Sequence, residues 1–138
     1  MTMSRINRKS ELREAAFLIL FRLDFQGSAG IMDQIDDFFD GEDGFSESEK
    51  QLIAGKVLGT TGHLEEIDKL IDEVSVGWKL SRMTKVDLTA LRLACYEIKY
   101  DDAVSAATAI NEAVELAKNY GTENSGSFVN GILAKVVK

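Results

Sequence analysis

Ile110-Asn111-Glu112-Ala113-Val114-Glu115-Leu116-Ala117-Lys118, followed by Phe128-Val129-Asn130-Gly131, decides how this chain is read. Ile110, Ala113, Val114 and Ala117 recur at i, i+3, i+4 and i+7, the spacing of one apolar helical face, with Asn111 and both glutamates turned off it. Gly121 is expected to stop that helix. A second helix is expected from about Ser125, with Phe128 just inside it beside a polar turn holding Asn124 and Ser125. Asn130-Gly131 would mark a hairpin between strands. Here Phe128, Ile132 and Val136 keep helical spacing through it, so Gly131 is read as admitting a close backbone neighbour.

Working outward, the same periodicity recurs. Leu12, Ala16, Ile19, Leu20 and Leu23 predict one face of a helix over about 7–25, while Arg5, Lys9 and Arg13 form an i, i+4, i+8 basic stripe. A short helix is expected over 31–39. Ser46-Glu47-Ser48-Glu49 has the form of a capping box, opening a helical pattern through Leu52, Ile53, Val57, Leu64, Ile67, Leu70 and Ile71. Gly55, Gly59 and Gly62 suggest close helix packing, or a break near Gly62-His63. Thr84 and Asp87 resemble another capping box, for a helix to about Tyr100. No segment alternates as a strand would. The class is therefore all-α, with about seven helices joined by short loops.

Composition agrees with a soluble globular chain: 138 residues, 45% hydrophobic and 28% charged, with no proline to interrupt a helix. One cysteine, Cys95, excludes an internal disulfide and fits a reducing cytoplasm. The longest apolar run, Ala15 to Phe21, is too short to span a bilayer. A cytoplasmic location without membrane attachment is the expectation. The net charge of −7 conceals a polarity. Residues 1–23 carry +3, residues 24–77 carry −11 and the remainder +1. A polyanion can be captured at such a basic end while the acidic body repels it.

Enzyme-like patterns fail on inspection. Gly55-Lys56 lacks the glycine and the Ser/Thr of a phosphate loop, since Lys50 and Val57 stand there. Asp36 to Glu47 misses a calcium loop, with Phe38 at the third ligand position and Asp43 at the hydrophobic eighth. His63 is the only histidine and heads no metal cluster. Cys95 lies on an apolar face as a small core residue. No catalytic constellation, metal or cofactor is expected.

Several separated segments, in order, resemble the NusB family. They are Arg13-Glu14-Ala15-Ala16 with Leu20-Phe21; Trp78-Lys79-Leu80-Ser81-Arg82-Met83; Asp87; Leu91-Arg92-Leu93-Ala94-Cys95-Tyr96-Glu97; and the Ile110–Lys118 and Phe128–Gly131 segments. The resemblance implies a compact helical bundle of two packed subdomains forming one RNA-binding domain over 1–138. It also implies a non-enzymatic antitermination factor that binds boxA-type RNA together with the ribosomal protein NusE. That complex joins an antitermination assembly on RNA polymerase and chiefly supports ribosomal RNA transcription.

Carried over by position, Arg5, Arg8, Lys9 and Arg13 are implied phosphate contacts. Phe128 resembles the family's RNA-facing aromatic, where a base can stack, although a Phe at such a position also serves as core. Asn124 and Ser125 in the same turn are implied hydrogen-bond donors, and Phe21 and Asp87 match positions that meet NusE. Two departures stand out. Ser105 replaces the proline that often opens the Ile110 helix and can act as its N-cap. Leu18 and Phe21 replace a frequent Gln and Tyr, removing a hydroxyl. A protein-interaction or homodimerisation module without direct RNA contact is the alternative reading of the same helices.

Overall fold

Asn7 accepts a hydrogen bond from the Ser10 backbone N–H at 2.8 Å and so caps the first helix, α1 (Arg8–Gln26). In this computed structural model, residues 7–27, 29–40 and 44–137 are described; Arg5 lies outside them. Six more helices follow: α2 (Ile31–Phe39), α3 (Glu47–Gly62), α4 (Leu64–Val74), α5 (Lys85–Tyr100), α6 (Ala106–Tyr120) and α7 (Ser125–Val136). A 3-10 turn, Leu80–Arg82, precedes α5. There is no strand among the described residues. The all-α class with seven helices is as the periodicity requires.

The chain divides into two units, Met1–Leu58 and Gly59–Lys138. In the first, α1 buries Leu12, Ala16, Ile19, Leu20 and Leu23, together with Phe17. Gly27 ends α1 at φ +79°, a left-handed conformation that a side chain would strain. The Gln34 amide then ties the turn by donating to the carbonyls of Gly27 and Ala29, at 2.9 and 3.0 Å. α2 buries Ile35 and Phe39. The capping box of α3 is reciprocal: the Glu49 N–H donates to Ser46 Oγ at 3.2 Å, and the Ser46 N–H donates to Glu49 Oε1 at 2.9 Å. Leu52 departs from its expected apolar face and is 60% exposed, while Ile53 and Val57 are fully buried.

In the second unit, α5 runs against α6 and α7, and α4 against α5. The core holds Ile67, Ile71, Leu91, Leu93, Cys95, Val129 and Leu133. The Arg92 guanidinium fastens α5 to α4 by donating through Nε and Nη2 to the two Asp68 carboxylate oxygens, at 2.8 and 2.9 Å. The α6 face that is fully buried is Ala109, Ala113, Leu116 and Ala117; Ile110 and Val114 flank it half-buried. Ser105 does cap α6, accepting from the Thr108 N–H at 3.1 Å.

Gly121 stops α6 as expected, at φ −104°; a Cβ there would collide with the Ser125 hydroxyl and the Ala117 carbonyl, so the need for glycine is steric. Two other glycine expectations change. A Cβ on Gly131 would meet open space, which removes the expected close approach. Of Gly55, Gly59 and Gly62, only Gly59 has a close neighbour, the ring of Tyr96. The break near Gly62-His63 is present: α3 ends at Gly62, and His63 stacks on Tyr100 with ring centroids 3.8 Å apart.

Candidate nucleic-acid interface

The basic start of α1 contains three described candidates, and they occupy three different environments. Lys9 is exposed on the first turn. Arg13 is buried, at 5% exposure, which departs from the expected basic stripe. The reason is geometric: Arg13, Phe17 and Leu20 stand at i, i+4 and i+7, and both apolar members of that row are buried.

Arg8 is partly exposed but heavily engaged. Its Nε and Nη2 each donate to Glu49, to Oε2 and Oε1, at 2.7 Å. Nη1 donates to Glu11 at 2.8 Å, and Nη2 also donates to the Gly44 carbonyl. The guanidinium lies 5.0 Å from the Phe45 ring centroid. The bidentate hydrogen bond from Arg8, with the Ser46 N–H second, holds the Glu49 carboxyl down to about 2. The same carboxylates push Arg8 further above its already high value.

Phe21, also on α1, is half-buried and sits in an aromatic row: 6.2 Å from Phe17 in a stacked arrangement and 5.0 Å from Phe25 edge-on. Phe25 is 62% exposed. That row could carry an apolar protein contact without the hydroxyl that Phe21 lacks.

In the second unit, Asn124, Ser125, Phe128 and Asp87 come together. They line one cleft of about 270 Å³, with Trp78 and Arg82 among its other walls. Phe128 is half-buried, neither free surface nor full core, and meets the Trp78 ring edge-on at 5.5 Å and 72°. Trp78 is itself 53% exposed. Asn124 is exposed at the start of α7 and its side chain makes no capping hydrogen bond.

Ser125 is expected from the sequence to donate to RNA. It is buried, and its hydroxyl accepts from the Thr122 N–H at 3.0 Å, closing the turn between α6 and α7. Asp87 sits in the first turn of α5 with its N–H donating to Thr84 Oγ1 at 3.1 Å. The carboxylate does not complete the expected capping box: Oδ1 is buried without a hydrogen-bond partner. A buried acceptor of that kind is costly until a donor reaches it.

Sequence reasoning singled out Phe128 and Asp87 for different partners and did not bring them to one cleft. It also missed Trp78 as a wall of that cleft. The available signal was the chain's only tryptophan, placed directly after a glycine. Among the described residues no group of three His, Cys, Asp or Glu could hold a metal ion. No helix among them is long and apolar enough to cross a membrane.

The fold and the site together define an all-helical protein with a basic helix start and an aromatic cleft in which one buried carboxylate oxygen lacks a hydrogen-bond partner. A NusB family model matches residues 10–138, and the chain belongs to the NusB family. It is 46% identical over 127 residues to the transcription antitermination protein NusB of Agathobacter rectalis, covering 92% of this chain and 97% of that one. The NusB of Acetivibrio thermocellus is 48% identical over 126 residues, covering 91% and 86%. Among solved structures, NusB of T. maritima superposes with a TM-score of 0.87 at 33% identity, over 94% of this chain and 90% of that one. A chain of the antitermination factors NusB and NusE in complex with dsRNA superposes with a TM-score of 0.82 at 26% identity, over 93% and 94%.

Proposed function

We propose that this protein is a non-enzymatic, cytoplasmic transcription antitermination factor. It acts as one RNA-binding domain that takes up boxA-type RNA together with NusE, enters the antitermination complex on RNA polymerase and supports ribosomal RNA transcription. The observation that carries this reading is the match, over 93% of the chain, to the fold seen in the NusB–NusE–dsRNA complex.

The chain's own chemistry supports a division of labour. Lys9 and the basic start of α1 attract phosphate independently of sequence. Asn124 and Phe128 offer an amide and an aromatic ring to bases, the groups through which sequence can be read. Arg13 and Ser125 are buried and contribute through the packing of α1 and the α6–α7 turn. Phe21 and Asp87 are the proposed NusE contacts, Asp87 because its unpaired oxygen can accept a donor from a partner.

The test is a titration of labelled boxA and scrambled RNA with and without NusE. Tighter binding of boxA, strengthened by NusE, is expected. NusE binding with no contribution from RNA would replace this reading with a protein-interaction module, and self-association that excludes both ligands would replace it with a homodimer.

A further inference from the structure

Of the two described arginines near the start of α1, the exposed one, Arg8, already holds an anion. An arginine has five N–H donors in a rigid planar fork. Four of those of Arg8 are committed, two to Glu49, one to Glu11 and one to the Gly44 carbonyl. The Nε–Nη2 edge is one of two that can grip a phosphate through two parallel hydrogen bonds. Here that edge grips Glu49 instead, at 2.7 Å through each nitrogen.

Glu49 is itself anchored, because Oε1 also accepts from the Ser46 N–H at 2.9 Å in the capping box of α3. Its side chain keeps only 22% of its exposure, and the Phe45 ring lies 5.0 Å from the guanidinium. The competitor is therefore preorganised, and an incoming phosphate has to displace it rather than fill an empty fork.

We infer that Glu49 is an intramolecular competitor for RNA phosphate at Arg8, a built-in brake on the basic start of α1. It rests on the RNA-binding reading above and adds a regulatory element to it. The brake lowers sequence-independent capture and leaves discrimination to the Asn124–Phe128 cleft. Opening the clamp strengthens binding to any RNA by the same factor, since a phosphate contact carries no base information.

The experiment compares the unaltered protein with Glu49→Gln, Glu47→Gln, Arg8→Gln and the double variant Arg8→Gln/Glu49→Gln, titrating labelled boxA and scrambled RNA over a salt series. Gln retains the acceptor that caps α3, and a thermal melt checks that each variant is folded. Glu49→Gln is expected to bind both RNAs roughly two- to fivefold tighter at low salt, the range of an exposed ion pair. Its log K against log salt should steepen by about 0.7, one more single-strand phosphate contact.

Glu47→Gln removes the same charge from the same turn, at a side chain 89% exposed that, among the described residues, pairs with Lys50. It is expected to leave the slope unchanged. Arg8→Gln alone is expected to weaken binding of both RNAs alike, and in its background Glu49→Gln should bring no gain. Equal gains from Glu47→Gln and Glu49→Gln, or a gain that persists without Arg8, would overturn the brake. So would unaltered affinity in Glu49→Gln while the unaltered protein binds. If none of the proteins binds either RNA, the RNA-binding reading fails and the brake falls with it.

Discussion

Replacing Phe128 by Ala and, separately, by Leu divides what its ring does for the fold from what it does for RNA. Phe128 is half-buried in the first turn of α7 and touches the Trp78 ring edge-on at 5.5 Å. A fully buried Phe→Ala change costs about 3–5 kcal/mol. Half that burial, with the aromatic pair included, gives a cost of roughly 2 kcal/mol. For a chain of this size that lowers Tm by roughly 6 °C.

Leu keeps most of the apolar volume, so Phe128→Leu should cost less than about 1.5 kcal/mol. Neither variant offers a flat π-face, and the loss of one base stack is worth roughly 1–3 kcal/mol, a fall in affinity of about 5- to 150-fold. Differential scanning calorimetry reads the first quantity, and RNA titration at fixed salt reads the second. The stacking argument requires Phe128→Leu to stay nearly as stable as the unaltered protein yet lose RNA affinity. A Leu variant that binds boxA as the unaltered protein does would refute it, and an Ala variant that melts far earlier would show Phe128 to be core.

Three further outcomes follow from the geometry. Ser105→Ala removes the N-cap of α6 and should lower stability by about 1 kcal/mol in urea unfolding. Arg92→Leu breaks the bidentate tie between α5 and α4; with Arg92 at 16% and Asp68 at 30% side-chain exposure, a cost of roughly 1–3 kcal/mol is expected by the same assay. Cys95 is fully buried and its thiol is pushed up to about 12 by desolvation, so iodoacetamide should label it only after denaturation. The sign of the linked pH effect follows: the unfolded chain ionises this thiol above about 9 and the folded one does not. Stability therefore falls as pH rises from about 9 towards 12, and a Cys95→Ala variant should lack that component of the decline.

Much of the fold was legible in the amino-acid order because its determinants are local. Ser46 and Glu49 stand three residues apart and cap α3 as their types require. Ser105 takes over the start of α6 by the same logic, and the glycine and histidine at 62–63 mark a real helix break. The burial of Arg13 was also within reach, since Phe17 and Leu20 share its row on α1. The basic stripe counted Arg13 with Lys9, although the same row continues into the buried Phe17 and Leu20. Gly121 and Gly131 were harder, because whether a glycine is needed depends on what lies beside it, and one faces Ser125 while the other faces open space.

The candidate site divides along the same line. By itself, the sequence determined seven helices, several of their caps, a basic start on an acidic chain and the particular residues that mark the family. All of these follow from spacings of a few residues and from residue type. Only the tertiary structure decided that Asp87, Trp78 and Phe128 wall one cleft, and that Arg8 closes on a carboxylate 41 positions away. Such meetings are set by how the helices pack, and a charge pair or an aromatic contact acts over a few ångströms whatever the distance along the chain. Periodicity says which face of a helix is buried; packing alone says which side chains it meets.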